Sequence, residues 1–145
     1  MKHVDIYTDG ACSSNPGPGG WAAVLIYNGH EKRISGFQSH TTNNIMELTA
    51  AIEALSCLKY SCEVTIYSDS KYVVDAISKG WVIDWKKRGW RTSKGTPAKN
   101  VDLWKKLLAL NSSHEVSYVW IKGHNGNKYN EICDAMALSQ INNNS

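Results

Sequence analysis

The sequence lacks an apolar run long enough to span a bilayer, and its N-terminal stretch, MKHVDIYTDG, lacks the apolar segment of a signal peptide. It has only four cysteines, none in a Cys-x-x-Cys pair, and a chain of 145 residues does not need a disulfide scaffold. Internal repeats and linkers are also absent. These absences predict one cytoplasmic domain, residues 1–145, with free thiols and no membrane partner.

The net charge of the whole chain is small, but positive charge is concentrated in one segment. The net charge is only +3, yet the stretch WKKRGWRTSKGTPAKNVDLWKK, residues 85–106, holds eight of the sixteen Lys and Arg residues and a single acid, Asp102. The rest of the chain is therefore net acidic. A basic patch of this density predicts a polyanionic partner, and a solvated basic loop is the alternative.

The spacing of apolar residues predicts strands first and helices afterwards. HVDIYTDGAC, WAAVLIYN and KRISGFQSH are separated by turn residues and predict an antiparallel meander of three strands. EVTIYSD and EVSYVWIKG predict two more strands. Helical spacing or turn signals mark IMELTAAIEALSCL, SKYVVDAIS, WVIDWKKRGW, KNVDLWKKLLALN and EICDAMALSQI as helices. Residues 142–145 are expected to form a frayed tail.

This order of elements predicts an α/β fold. Strands that follow or precede helices can lie parallel to one another, whereas the first three strands pair antiparallel. The expected architecture is a mixed five-stranded sheet, with three antiparallel strands and then parallel neighbours, and with helices on both faces.

Four acidic residues stand where they could meet at one edge of this sheet. Asp9 and Asp69 are expected to end the first and fourth strands, beyond whose carboxyl ends ligand sites gather. Glu47 lies in the first turn of the helix after the third strand, and Asp134 lies in the last helix. Carboxylates brought together repel one another unless they surround cations. Oxygen ligands suit Mg²⁺ or Mn²⁺, and two such ions about 3.5–4 Å apart can promote phosphodiester hydrolysis.

Two of these acids have a purely local explanation in the adjoining turns. Asp9 could cap a turn at Gly10. Glu47 lies three residues after Asn44 and could complete a capping box with it at the start of the helix. Neither residue by itself therefore indicates a metal site.

The remaining candidates have local explanations as well. Asp69 or Ser70 could cap the helix that follows them, and Asp134 could be a solvated helix residue. His124, in the polar loop KGHNGN after the fifth strand, is either a surface residue or a general acid–base group near a metal-bound water. The prediction of a site depends on the joint placement of these residues.

Seven motifs that follow one another along the chain resemble those of bacterial type 1 ribonuclease H: YTDGACSSNPGPGGWA, TTNNIMELTAAIEAL, YSDSKYV, WKKRGW, KNVDLW, IKGH and NEICDAMA. The resemblance covers essentially the whole chain. It implies the ribonuclease H-like fold and a monomeric endonuclease that hydrolyses the RNA strand of an RNA–DNA hybrid, leaving a 5′-phosphate and a 3′-hydroxyl. The implied cofactor is Mg²⁺, two ions during catalysis, with Mn²⁺ able to substitute.

The resemblance also implies a role for each residue of the site. Asp9 would bridge both ions, and Asp134 would help to hold the ion that carries the attacking water. Glu47 and Asp69 would hold the ion at the leaving group. His124 would assist protonation or product release.

The substrate contacts implied by the resemblance fall in two segments. The first would contact the minor groove and a DNA phosphate, and the second is a basic protrusion, residues 81–98. The residues are Cys12, Asn15, Thr42, Asn43 and Asn44 in the first segment, and Trp85, Lys86, Lys87, Arg88 and Trp90 in the second. Turn and cap chemistry is the alternative for TTNN, and a small core of the protrusion is the alternative for its tryptophans.

The chain departs from the commonest pattern of that family at three residues and in the loop HNGNKYN, which lacks the proline that is usual there. Lys71 stands where glutamine is frequent, so a hydrogen bond to substrate at that point is in question. Ile45 and Ile132 stand where arginines are frequent. None of these departures affects the four acids.

Two other functions compete with the hybrid-specific nuclease. A non-catalytic nucleic-acid-binding module on the same fold would be indicated by a degraded set of acids, and this set is complete. A DNA-cutting relative of transposases or resolvases would share the carboxylates but generally lack TTNN and the Trp-rich basic segment, both of which are present.

Overall fold

The computed structural model describes residues 1–144, which form five strands and five helices. The strands are β1 Lys2–Cys12, β2 Gly17–Tyr27, β3 His30–Thr41, β4 Cys62–Ser68 and β5 Glu115–Trp120. The helices are α1 Asn43–Ser56, α2 Lys71–Ser78, α3 Trp81–Lys87, α4 Val101–Ser112 and α5 Lys128–Asn144. Within this part of the chain, no helix combines the length and the apolarity needed to cross a membrane.

The strands form one mixed sheet in the order β3-β2-β1-β4-β5. β1 pairs antiparallel with β2, and β2 pairs antiparallel with β3. β4 lies parallel to both β1 and β5. The predicted fold class, three antiparallel strands followed by parallel neighbours, is therefore confirmed.

Helices cover both faces of the sheet because alternate residues of the central strands point to opposite sides. On one face, Ile6 of β1 packs in a cluster with Leu48 of α1 and Trp104 of α4. On the other face, Val24 of β2 packs with Ala137 of α5. All five residues are fully buried. The two apolar layers fix α1 and α5 on opposite faces of the sheet. The predicted acids converge at the edge of the sheet between these two helices.

The prediction that Asp9 ends the first strand is wrong. β1 continues to Cys12 because Asp9 pairs with Ala22, and Cys12 pairs with Gly19, on the antiparallel neighbour β2. The parallel pairing of β1 with β4 does stop one residue earlier, at Thr8. Asp9 is thus the first residue of β1 that extends beyond β4, and this places its carboxylate at the mouth of the parallel pair.

The predicted capping box of Asn44 and Glu47 is also wrong. α1 begins earlier, with Thr42 as its N-cap, and the Thr42 hydroxyl accepts a hydrogen bond from the backbone N–H of Ile45 at 3.3 Å. Asn44 is therefore inside the first turn. Glu47 lies beyond the capping position, so the cap does not account for its side chain.

The structure also defines the start of α2 and the end of α5, which the sequence left open. Ser70, not Asp69, caps α2, because its hydroxyl accepts from the backbone N–H of Val73 at 3.2 Å. α5 runs to Asn144, so the expected frayed tail is helical over residues 142–144, and Ser145 lies outside the described residues.

Gly10 allows α1 to lie directly against β1. A Cβ atom at this position would come within 2.5 Å of the backbone nitrogen of Glu47 and 2.6 Å of the backbone carbon of Met46. Any larger residue would force the helix away from the strand. The glycine therefore sets the separation between the carboxylates of Asp9 and Glu47.

Candidate active site

Carboxylates from β1, α1 and the end of β4 meet at one point of the sheet edge. One side-chain oxygen from each of Asp9, Glu47 and Asp69 lies within 4.8 Å of the others. Asp134 of α5 and His124 of the β5–α5 loop line the same cavity, which has a volume of about 420 Å³. The four predicted acids and the predicted histidine, distant in sequence, thus share one cavity.

The carboxyl group of Asp9 is costly to ionise in this cavity. Asp9 is only 5% exposed. Burial, followed by the negative charges of Asp69 and Asp134, raises the pKa of Asp9 to about 8, although the backbone N–H of Gly10 donates to its Oδ1 at 2.9 Å. The turn contact expected for Asp9 is therefore real, but it is too weak to offset burial and repulsion.

Glu47 is likewise buried and is subject to the same forces. Burial, followed by the charges of Asp9 and Asp69, holds the pKa of Glu47 well above its usual value. Its Oε1 atom is buried and has no hydrogen-bond partner among the described residues. A buried acceptor without a partner is costly.

This arrangement fits a divalent cation. A cation would satisfy the orphaned oxygen of Glu47 and remove the repulsion that acts on Asp9. Carboxylate oxygens are the ligands that Mg²⁺ and Mn²⁺ prefer, whereas softer metals select sulfur or imidazole. Asp9, Glu47 and Asp69 form the best-defined candidate ligand set, with Asp134 beside it.

The β5–α5 loop brings an imidazole to the rim of this cavity. His124 is exposed, and its backbone has a positive φ of 55°. Its neighbour Gly123 packs against Asp69, because a Cβ atom there would lie 2.6 Å from the Asp69 Oδ2. The loop is thus held against the carboxylates while the imidazole faces solvent.

Sequence reasoning missed two residues that contact Asp69. Asn130 is 2% exposed, and its amide nitrogen lies 3.5 Å from Asp69 Oδ2. Trp120 donates its indole N–H to the backbone oxygen of Asp69 at 3.2 Å. Asn130 could have been found from its spacing, because it lies four residues before Asp134 and hence on the same face of α5.

The first predicted substrate segment borders the carboxylates. Cys12, Asn43 and Asn44 line the same cavity as the acids. Asn15 is attached to this group because its side-chain oxygen accepts from the backbone N–H of Asn43 at 3.1 Å. Thr42 caps α1, so the cap alternative for TTNN holds, and the amide groups of Asn43 and Asn44 remain exposed.

The basic protrusion presents cations outward and packs two of its tryptophans, Trp85 and Trp90, inward. Lys86, Lys87 and Arg88 are exposed at the end of α3. Trp85 packs edge-on against the buried Trp104, with ring centroids 6.1 Å apart. Trp90 is partly buried against the main core. The tryptophans therefore attach the protrusion to the domain, which is the packing alternative, and the cations are free to meet a partner.

The chain is similar to known proteins both in sequence and in fold. A family model described as RNase H matches residues 1–142. Ribonuclease H of Caldanaerobacter subterraneus subsp. tengcongensis is 56% identical over 138 residues, which cover 95% of this chain and 90% of that protein. The crystal structure of LC9-RNase H1, a type 1 RNase H with the type 2 active-site motif, superimposes with a TM-score of 0.86 at 30% identity and covers 100% of this chain and 74% of that one. LC11-RNase H1, solved in complex with an RNA/DNA hybrid, has the same fold, with a TM-score of 0.76, 23% identity and 97% of each chain covered.

Proposed function

This chain belongs to the ribonuclease H family as a bacterial type 1 member, and from that premise we propose that it hydrolyses the RNA strand of RNA–DNA hybrids by a two-metal mechanism. The products would carry a 5′-phosphate and a 3′-hydroxyl. The observation that carries the proposal is the convergence of Asp9, Glu47 and Asp69 within 4.8 Å, with Asp134 in the same cavity.

In this proposal the four acids hold Mg²⁺, for which Mn²⁺ can substitute. When bound, the ions supply an activated water and offset the negative charge of the phosphodiester. The protein contributes ligands that are held in place by the sheet and by two helices. His124, exposed at the rim of the cavity, accepts or donates a proton at its imidazole as the products form.

The substrate is held on two sides of the carboxylates. On one side, the exposed amides of Asn43 and Asn44, positioned by Asn15 and Thr42, contact the minor groove of the hybrid, where the 2′-hydroxyl distinguishes RNA from DNA. On the other side, the cations of the protrusion attract the phosphates of the second strand. The complex of LC11-RNase H1 with a hybrid supports this use of the fold.

The test is a cleavage assay on four labelled substrates. The RNA strand of a hybrid should be cut in the presence of Mg²⁺ and left intact with a chelator. Single-stranded RNA, duplex DNA and duplex RNA should be largely spared. Because all four acids come from one chain, we further propose that residues 1–145 act as a monomeric domain, and activity per molecule should then not change on dilution. The cytoplasmic location stays a prediction from the sequence.

A non-catalytic binding module is the competing function. It would bind the hybrid without cutting it in any divalent metal. The orphaned oxygen of Glu47 argues against this reading, because a site that never holds a cation gains nothing from such a buried acceptor.

Neutralising the protrusion should weaken hybrid binding. Replacing Lys86, Lys87 and Arg88 with alanine removes up to three phosphate contacts, so the slope of log affinity against log salt should become shallower by about 1–3. Hybrid affinity measured between 50 and 200 mM salt, as a titration range, would show this change.

A triple variant at the opposite end of the sheet is the matched control. Lys2, Lys32 and Lys59 line a separate cavity there, and their replacement with alanine removes the same charge. Equal effects of the two triple variants would show that only the net charge matters and would contradict a specific role for the protrusion.

A further inference from the structure

Asp69 is the one acid of the cluster that lies outside a regular element. β4 ends just before it and α2 begins shortly after it, so Asp69 stands in the connection between them. Asp9, Glu47 and Asp134 are carried by a strand or a helix, whose backbone limits the directions that a side chain can take. The direction of the Asp69 carboxylate therefore depends on contacts from the rest of the domain.

The segment that runs from the end of β5 into α5 contacts Asp69 at three points. The Trp120 indole N–H donates to the backbone oxygen of Asp69 at 3.2 Å, and the Trp120 ring lies under the Lys71 ammonium, 5.0 Å from the ring centroid. Gly123 packs so closely that a Cβ atom there would lie 2.6 Å from Asp69 Oδ2. The side-chain amide of Asn130 donates to the same Oδ2 at 3.5 Å. Trp120 thus anchors the backbone of Asp69, and Asn130 holds its carboxylate.

Asn130 is itself fixed in place. It is 2% exposed, and its backbone N–H donates to the side-chain oxygen of Asn127 at 3.0 Å, at the start of α5. Within residues 1–144, its amide is the side chain that the structure shows hydrogen-bonded to the Asp69 carboxylate. Asn130 also lies one helical turn before Asp134 on the same face of α5. One helix therefore supplies a candidate ligand, Asp134, and a donor to a second candidate ligand, Asp69.

We propose that Asn130 is a positioning residue, whose amide holds the Asp69 carboxylate beside those of Asp9 and Glu47 before a cation binds. This inference rests on the proposed function and adds a residue that acts through Asp69 instead of on the substrate. A carboxylate without a fixed partner can occupy several rotamers, and only some of them face the other two acids. Fixing the side chain in advance reduces the ordering cost of binding the ion.

A neutral amide suits this role better than a charged donor. Its N–H group favours the ionised form of the carboxylate, which is the form that ligates a metal ion. A lysine at the same place would add a positive charge that repels Mg²⁺. Removal of hydrogen-bonding partners that orient metal ligands typically lowers metal affinity by about 10–100-fold. The loss of the Asn130 amide should therefore be visible in Mg²⁺ binding itself.

Asn130→Leu removes the donor and keeps a side chain of similar shape, so the packing around position 130 is largely retained. Mg²⁺ binding is followed by NMR without substrate, through the backbone amide of Gly10, which donates to Asp9 at 2.9 Å. We expect the Kd for Mg²⁺ to rise at least about tenfold. The Mg²⁺ concentration that gives half-maximal cleavage should rise by the same factor. The Kd for a hybrid measured in a chelator should stay at the wild-type value.

Two other variants separate hydrogen bonding from packing. Asn130→Ala removes both the donor and the volume, so a donor role predicts similar losses of Mg²⁺ affinity in Asn130→Leu and Asn130→Ala. A packing role predicts a loss in Asn130→Ala alone. Asn143→Leu makes the same change as Asn130→Leu at an exposed position of α5 and should leave Mg²⁺ affinity unchanged. Circular dichroism shows whether each variant is folded.

Metal-free crystal structures test the positioning directly. Side-chain oxygens of Asp69 and Asp9 lie within 4.8 Å of one another, and this separation should lengthen in Asn130→Leu because the carboxylate is no longer held. The inference is overturned if Asn130→Leu binds Mg²⁺ with wild-type Kd, or if its Asp69 carboxylate keeps the wild-type position. It is supported if both variants at position 130 lose affinity and Asn143→Leu does not. A wild-type protein that binds Mg²⁺ but cuts no hybrid would refute the proposed function and leave the role of Asn130 standing.

Discussion

Asp9→Asn should abolish hybrid cleavage and leave the fold intact. The substitution preserves size and shape, but it replaces a charged ligand at the centre of the acidic cluster with a neutral amide. Metal ions supply several kcal/mol of stabilisation to the transition state of phosphodiester hydrolysis, so kcat should fall by at least about a thousandfold, or about 4 kcal/mol. Steady-state cleavage of the hybrid with Mg²⁺ measures this loss.

The control for this experiment is another carboxylate of the same strand. Asp5 lies four residues earlier on β1 and accepts a hydrogen bond from His3 at 2.9 Å, away from the acidic cavity. Asp5→Asn should retain wild-type kcat, and circular dichroism should show both variants folded. Cleavage retained by Asp9→Asn would count decisively against the two-metal proposal.

The sequence predicted the architecture because its patterns are unambiguous over long segments. Alternating residues in β1 and helical spacing in α1 leave each element one way to bury its apolar face. The meeting of Asp9 and Asp69 follows from the same logic, because adjacent parallel strands end at the same edge. The adjacency of β1 and β4, inferred from the order of elements, is therefore what predicted that the separate acids form one site.

The predictions that failed concern local ends, where several residues compete. Thr42, Asn43 and Asn44 are all capable of capping α1, and the hydroxyl of Thr42, the residue directly after β3, takes the role. The strand end at Asp9 was mistaken because pairing with one neighbour stops while pairing with the other continues. Such choices depend on tertiary contacts that the local sequence does not encode.

Asn130 carries only a partial signal in the sequence, because its spacing places it on the Asp134 face of α5 but does not show that it is buried against Asp69. An asparagine in a polar helix resembles a solvated surface residue, and only the packing of α5 against the sheet buries it beside Asp69. The contact between Lys71 and Trp120 likewise joins α2 to an edge strand far along the chain. Contacts of this kind require the three-dimensional arrangement.

The stability of the metal-free protein should fall as pH rises, in a manner that depends on Asp9. The pKa of Asp9 is raised from 3.8 to about 8 in the folded state, so between about pH 4 and pH 8 the folded protein binds more protons at this group than the unfolded chain does. Its contribution to stability is therefore fully present below pH 4 and is lost as pH rises towards 8. Glu47, whose pKa is also raised, acts in the same direction.

Asp9→Asn isolates this contribution because an amide does not titrate. Relative to the variant, the wild-type protein should lose about 2–4 kcal/mol of unfolding free energy between pH 5 and pH 8, the upper figure corresponding to three pH units. The measurement is denaturant unfolding in a chelator at both pH values. A difference between the two proteins that stays constant with pH would contradict the raised pKa of Asp9.

Added Mg²⁺ should reverse the loss at pH 8. A ligand that binds only the folded state stabilises it by about 2.7 kcal/mol at a concentration of one hundred times Kd. The wild-type protein should gain this stability, whereas Asp9→Asn, with a weakened site, should gain much less. An equal gain in the two proteins would mean that the ion binds elsewhere, and the carboxylate cluster would then not be the metal site.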